Sequence, residues 1–168
     1  MSKIEITTIV RDELFEVAEF LHNSWLTEYR DIVSSEFLDT MPLDGRYNKL
    51  LKRFDNKVSD FIVMRDAEGL VGVAIFGKSF TDGYADDGEI SAMYIRHDCI
   101  GKGYGHALFV EAETALSAKG YAHFVLDVLS ENKRAVSFYQ KHGYEIIDER
   151  SIKLGRDEYP LTVFRKKL

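Results

Sequence analysis

The apolar residues of this chain fall into two rhythms. Over residues 3–10 the β-branched Ile4, Ile6 and Ile9 come at or near alternate positions, the period of a strand. From Asp12 the spacing lengthens: Leu14, Val17, Ala18, Leu21 and Trp25 recur three and four apart, so a helix with one buried face follows, and Asp12 is placed to cap it. Ser34 or Ser35 opens a shorter helical piece through Met41, and Pro42 breaks it. A third helix carries Tyr47, Leu50, Leu51 and Phe54 on one side. From Asp60 the strand period returns. Segments 61–65 and 70–77 flank a four-residue turn, Asp66-Ala67-Glu68-Gly69, and a polar loop, 79–88, leads to a strand at 89–96. Residues 103–119 read as a helix stopped by Gly120, with Ala107, Leu108, Ala112, Ala115 and Leu116 as its buried stripe. Segment 122–128 is apolar apart from His123 and Asp127, as in a strand covered on both faces. A last helix, 133–142, ends at Gly143, and strands at 144–150 and 159–165 close the chain.

This order implies antiparallel pairing across the hairpins and parallel pairing where a helix joins 89–96 to 122–128. The expected fold is α/β: a mixed, largely antiparallel central sheet flanked by helices. No repeat, low-complexity stretch or linker interrupts it, and 168 residues suit one domain, 1–168.

The candidate chemistry begins where strand 89–96 gives way to Gly101-Lys102-Gly103-Tyr104-Gly105-His106 and a helix. The first N–H groups of a helix lack internal partners and carry partial positive charge, and alternate glycines let backbone approach an anion closely. The turn lacks the Gly-x-x-x-x-Gly-Lys-Ser/Thr of a P-loop. It also fails Gly-x-Gly-x-x-Gly, since the last position is His106 counted from Gly101 and Leu108 counted from Gly103. Read from Ile100, it resembles the pyrophosphate turn of the GNAT superfamily of acetyl-CoA-dependent N-acetyltransferases, Gln/Arg-x-x-Gly-x-Gly/Ala. The glycines match, while Ile100 stands where a polar side chain is usual. A second stretch, Asn132-Lys133-Arg134-Ala135-Val136-Ser137-Phe138-Tyr139-Gln140-Lys141-His142-Gly143-Tyr144, is similar to the family's Asn-x-x-Ala-x-x-Phe-Tyr-x-x-x-Gly-Phe/Tyr.

The resemblance implies that the two parallel strands splay apart and that the pantetheine arm of acetyl-CoA lies between them, bonded like an added strand to the backbone of Met93, Tyr94 and Ile95. It implies a cofactor site made of those residues with Gly101, Lys102, Gly103, Tyr104, Gly105, His106, Asn132, Ala135 and Phe138. Asn132 would contact the pantetheine arm or orient the helix start. Tyr139 falls on the position whose hydroxyl acts as general acid toward the leaving sulfur. A phenol near ~10 lies only ~1.5 units above a thiol near ~8.5, so that transfer is uphill by roughly 2 kcal/mol. A backbone N–H near Tyr94 would hold the oxyanion.

A lysine-like amine, near ~10.4, costs about 4.6 kcal/mol to neutralise at pH 7, so a proton acceptor is needed. Glu89, eleven residues before Ile100 as in histone-acetyltransferase-like members, is the candidate base; Asp86, Asp87 and a water chain are the alternatives. Asp82, Asp86, Asp87 and Glu89 would crowd the approach and favour a cationic acceptor: a polyamine, an aminoglycoside-like amine, or a lysine or N-terminal amine of a protein. Trp25, Tyr29 and Tyr47 are candidates for the substrate pocket or for the core. The rival readings are a non-catalytic CoA-binding sensor and a nucleotide-binding protein.

Composition narrows this further. The net charge of −6 without a basic stripe argues against nucleic acid. No apolar run approaches the ~20 residues of a membrane span, and the start, Met1-Ser2-Lys3-Ile4-Glu5, is no signal peptide. A lone cysteine, Cys99, forms no intrachain disulfide, which fits a cytoplasmic protein, and reads as a loop thiol. His22, His97, His106, His123 and His142 show no metal-ligand spacing, so no metal is expected. A homodimer is compatible with the resemblance.

Overall fold

The structure, a computed structural model, describes residues 3–168; Met1 and Ser2, with which the sequence starts, lie outside the described residues. Seven strands, β1 (Glu5–Thr8), β2 (Ser59–Asp66), β3 (Gly69–Lys78), β4 (Gly88–Ile95), β5 (His123–Leu129), β6 (Glu145–Leu154) and β7 (Asp157–Lys167), form one sheet in the order β1-β2-β3-β4-β5-β7-β6. Every neighbouring pair is antiparallel except β4–β5. Five helices flank it: α1 (Leu14–Glu28), α2 (Ser35–Thr40), α3 (Leu43–Asp55), α4 (Tyr104–Ala118) and α5 (Lys133–Lys141).

Alternation along the strands sorts the core. On β2, Phe61 and Val63 meet Leu14, Val17, Leu21 and Leu50 of α1 and α3, while Ile62 and Met64 face the opposite layer with Leu108, Phe109 and Leu116 of α4. A smaller cluster of Tyr29, Val33, Leu38, Leu129 and Leu154 ties the end of α1 and α2 to the β6–β7 hairpin. Tyr47 joins the α1–α3 layer. Among the described residues no helix is long and apolar enough to cross a membrane.

Three local expectations are corrected. Asp12 does not cap α1: a 3₁₀ turn at Arg11–Glu13 moves the helix start to Leu14, and the Glu13 carboxylate accepts the Val10 N–H at 2.7 Å instead. Ala107 is exposed, and Phe109 takes its place in the buried stripe, because α5 covers α4 from the side and widens its buried arc. The final strands run on to Leu154 and back from Asp157, beyond the apolar stretch that marked them, because they form an edge hairpin that tolerates exposed charge.

One irregularity positions the site. β4 carries an extra residue, Ser91, opposite the Ile75–Phe76 step of β3. Such a bulge bends and twists its strand. Pairing between β4 and β5 is confined to Gly88↔Phe124 and Glu89↔Val125, so the strands part beyond this point. The expected splay is present, and it leaves the β5-facing backbone of Met93–Ile95 without a strand partner.

Candidate active site

The glycine turn closes the open end of the splay. Gly101 and Gly103 adopt φ of 83° and 84°, a conformation that suits glycine, and a side chain at either position would meet only open space. The first helical bond of α4 runs from the Ala107 N–H to the Gly103 carbonyl. The main-chain N–H groups from Gly101 to His106 have no acceptor among the described residues. A row of unpaired donors at a helix start, with no Cβ screening it, fits a diphosphate.

A cavity of about 340 Å³ extends from this turn into the splay. Met93, Tyr94, Ile95, Gly101, Gly103, Gly105 and His106 form one wall, and Ala135, Phe138 and Tyr139 of α5 form the other. Lys102 is exposed beside the turn, and Tyr104 packs on the α4 core; neither lines the cavity. Asn132 is buried at the start of α5. Its Oδ1 accepts the Ala135 N–H at 3.3 Å, and its Nδ2 donates to Glu28 Oε1 at 3.1 Å. Of the two roles expected for Asn132, the geometry bears on the second, orienting the helix. Arg134 Nη2 donates to the same Glu28 oxygen at 2.9 Å. This junction of Glu28, Asn132 and Arg134 also borders a wider cavity of about 450 Å³ that shares Ile95 and Ile100 with the first.

On the far side of the splay lies a cavity of about 130 Å³. Trp25 and Tyr29 of α1, Asp127 of β5 and Ile152, Leu154 and Leu161 of the last hairpin line it. Tyr139 borders both this cavity and the 340 Å³ one. Its hydroxyl has no hydrogen-bond partner among the described residues, and burial pushes the phenol well above its ordinary value, so it stays protonated. The Tyr29 and Tyr94 hydroxyls lie 3.0 Å apart. Burial pushes Tyr29 up to about 12. Arg46 covers the Trp25 ring at 5.3 Å, so one face of that ring is already occupied by a guanidinium of the chain itself.

Asp127 was not among the expected site residues. Solvent reaches it, yet the surrounding protein pushes its carboxyl up to about 6, by desolvation first and by the nearby Glu89 charge second; Arg150 acts weakly against them. The hint available in the sequence was the carboxylate itself, an anomaly within an apolar strand. Glu28 gave no such hint, because it sits on the polar face of an ordinary helix.

The expected acidic approach does not exist in the form anticipated. Asp87 is buried and makes a bidentate pair with Arg165, at 2.8 and 3.0 Å, so its charge is spent on joining the loop to β7. Asp82 and Asp86 are exposed and line none of the three cavities. Glu89 is buried, and its Oε2 accepts from Ser79 Oγ at 3.0 Å and from the Phe80 and Thr81 N–H groups at 2.6 and 3.1 Å. Cys99 is buried, and burial pushes its thiol up, away from nucleophilic use.

A splayed parallel pair, a bare glycine turn and a cavity joining them are the arrangement that the motif resemblance implied. Residues 18–144 match the acetyltransferase (GNAT) family, and the chain belongs to that family. It is an acyltransferase of a family whose co-substrate is acetyl-CoA. The chain is 26% identical over 147 residues to the uncharacterized N-acetyltransferase YuaI of Bacillus subtilis, covering 86% of this chain and 82% of that one. It is 24% identical over 151 residues to a spermidine N(1)-acetyltransferase of Thermoplasma acidophilum, covering 86% and 90%. The crystal structure of the PaiA N-acetyltransferase from Thermoplasma acidophilum in complex with coenzyme A superposes with a TM-score of 0.79 at 25% identity over 99% of both chains.

Proposed function

We propose that this protein transfers the acetyl group of acetyl-CoA to the primary amine of a linear, cationic acceptor of the polyamine kind. The observation that carries this reading is Tyr139, which opens onto both cavities with Asp127 across the smaller one. The spermidine acetyltransferase among its relatives supports the acceptor class.

In this reading the N–H groups from Gly101 to His106 hold the diphosphate, and the free backbone edge of Met93–Ile95 lies along the pantetheine arm. The bound thioester supplies a carbonyl carbon open to attack. An N–H near Tyr94 stabilises the carbonyl oxygen as negative charge grows on it. Asp127, as the carboxylate, pairs with the ammonium group and takes one proton from it; the neutral amine so formed has the free lone pair that makes the C–N bond. The position of Asp127 near 6, against an ordinary carboxylate near 3.8, makes it a better proton acceptor for this step. As the C–S bond breaks, Tyr139 gives its proton to the departing sulfur and the nitrogen loses its second proton to water; Tyr139 regains a proton from solvent and Asp127 releases the one it took, so two protons leave nitrogen, one ends on sulfur and one in solvent. Glu89, the base expected from the strand's start, fits a supporting role better: three donors hold one of its oxygens, and its charge raises the proton affinity of Asp127. Trp25 and Tyr29 wall the acceptor's path.

Two measurements test this. With acetyl-CoA and a panel of spermidine, simple alkylamines and a lysine peptide, the linear polyamine is acetylated fastest; tight binding of CoA with turnover on none of them would replace the enzyme reading by that of a sensor. Asp127→Asn lowers kcat by about two to four orders of magnitude. In the unmodified protein kcat/KM climbs as pH rises through about 6, because a base works only when deprotonated, and the variant lacks that limb.

A further inference from the structure

The geometry points to His142 as a positioning residue that fixes the proton state of His106, so that binding the cofactor's diphosphate adds a proton to His106. This rests on the reading that residues 101–106 hold the diphosphate.

His142 stands at the end of α5, and its Nδ1 lies 2.7 Å from the Phe138 carbonyl oxygen. A carbonyl only accepts, so Nδ1 of His142 carries the hydrogen, and Nε2 of the neutral ring is a lone pair. That lone pair lies 2.8 Å from Nδ1 of His106, in the first turn of α4, which must therefore donate. While His142 is neutral, the chain of bonds has one direction: His106 Nδ1–H to His142 Nε2, then His142 Nδ1–H to the Phe138 oxygen. The His142 ring is held in place by Phe138, at 4.1 Å between centroids, and by the edge of Phe109, at 4.9 Å.

His106 has one nitrogen left. Its Nε2 has no partner among the described residues, and the residue borders the cofactor cavity. With Nδ1 committed to donating, a neutral His106 presents a lone pair from Nε2, which repels a diphosphate oxygen. Protonated, the same atom is a cationic donor. Removing His142 frees the tautomer: a neutral His106 then donates from Nε2 with Nδ1 bare, and no proton is needed. An anion favours the charged form of any nearby imidazole, so the signature of the pair is an uptake larger than that of a histidine free to change its tautomer.

Other charged and titratable groups bear on this pair. Lys102, Tyr104 and Lys141 neighbour it on its own elements. Glu28, Arg134 and Tyr139 line the same cavity, and Tyr144 packs against Phe109 beneath. Lysines, arginines, glutamates and phenols ordinarily keep their charge state near neutral pH. Asp127 titrates closer to it, on the acceptor side of Tyr139.

The probe is dephospho-coenzyme A, which keeps the diphosphate and lacks the ribose phosphate that titrates near ~6. Calorimetry near neutral pH in two buffers of different protonation enthalpy reads the proton count. The unmodified protein takes up between a fraction of a proton and one proton, and its affinity rises up to about tenfold for each unit that pH falls. His142→Phe, which keeps an aromatic ring against Phe109, lowers both the uptake and the slope. His106→Phe, at an exposed position, abolishes them, and covers the case in which the first variant does not fold. Uptake unchanged in either folded variant, or absent from the unmodified protein, overturns the assignment of His142. Dephospho-coenzyme A binding no better than pantetheine, which has no diphosphate, overturns the underlying reading of residues 101–106 as well.

Discussion

Tyr139→Phe reduces kcat by about two to four orders of magnitude while coenzyme A continues to bind. The substitution removes one oxygen and nothing else, at a side chain wedged among Phe109, Phe138, Tyr144 and Phe164. That hydroxyl bonds to no described group, so its loss breaks no internal contact and leaves unfolding by denaturant unchanged or slightly more difficult. The ring still packs, and both cavities keep their shape. A loss in turnover with retained binding and stability then belongs to proton delivery to sulfur. Single-turnover kinetics alongside a binding titration make the distinction, and kcat within tenfold of the unmodified protein would remove Tyr139 from the chemistry. Burial holds the phenol above its ordinary range, so kcat of the unmodified protein shows no fall from its ionisation up to about pH 10.

Phe109→Ala is expected to be the most damaging change to stability, at about 3–5 kcal/mol. The ring is wholly buried and meets Phe138, Tyr139, His142 and Tyr144 with centroids 4.9 to 5.8 Å away, so it joins α4 to α5 and to the strand that follows. For a chain of this size the loss corresponds to a fall in Tm of roughly 10 °C, read by calorimetry. Activity at a temperature where the variant is still folded also declines, because α5 presents Tyr139 to the cleft. A drop in Tm of only a degree or two would show that the layer between α4 and α5 collapses around the missing ring.

The sequence made local features legible: strand and helix periods, the glycine turn, the Asn132–Tyr144 motif, and with them the order of elements and several of the residues that wall the 340 Å³ cavity. What it hid depends on pairing at a distance. Asp87 looked like free negative charge because its partner, Arg165, lies 78 residues away. Glu89 read as a base open to the acceptor because the loop that folds back over its carboxylate has no hydrophobic signal. Asp127 became part of the site only because the bulge at Ser91 turns β4 aside and exposes that stretch of β5. Phe109 was passed over because a single-faced helical stripe was expected where α4 is in fact enclosed on two sides.

Two residue pairs, Gly88↔Phe124 and Glu89↔Val125, are all that stitch β1–β4 to β5–β7 within the sheet. The protein is in this sense a pair of tongs fastened at one end, with the jaws held otherwise by side-chain packing and by polar links that include Glu28 to Asn132 and Arg134, and Asp87 to Arg165. A molecule lodged between the jaws supplies the missing rung, and at a hundredfold excess over its Kd it adds about 2.7 kcal/mol to the resistance of the whole fold. On the function proposed above, the opening that takes acetyl-CoA is therefore also the seam along which the unliganded fold is easiest to pull apart.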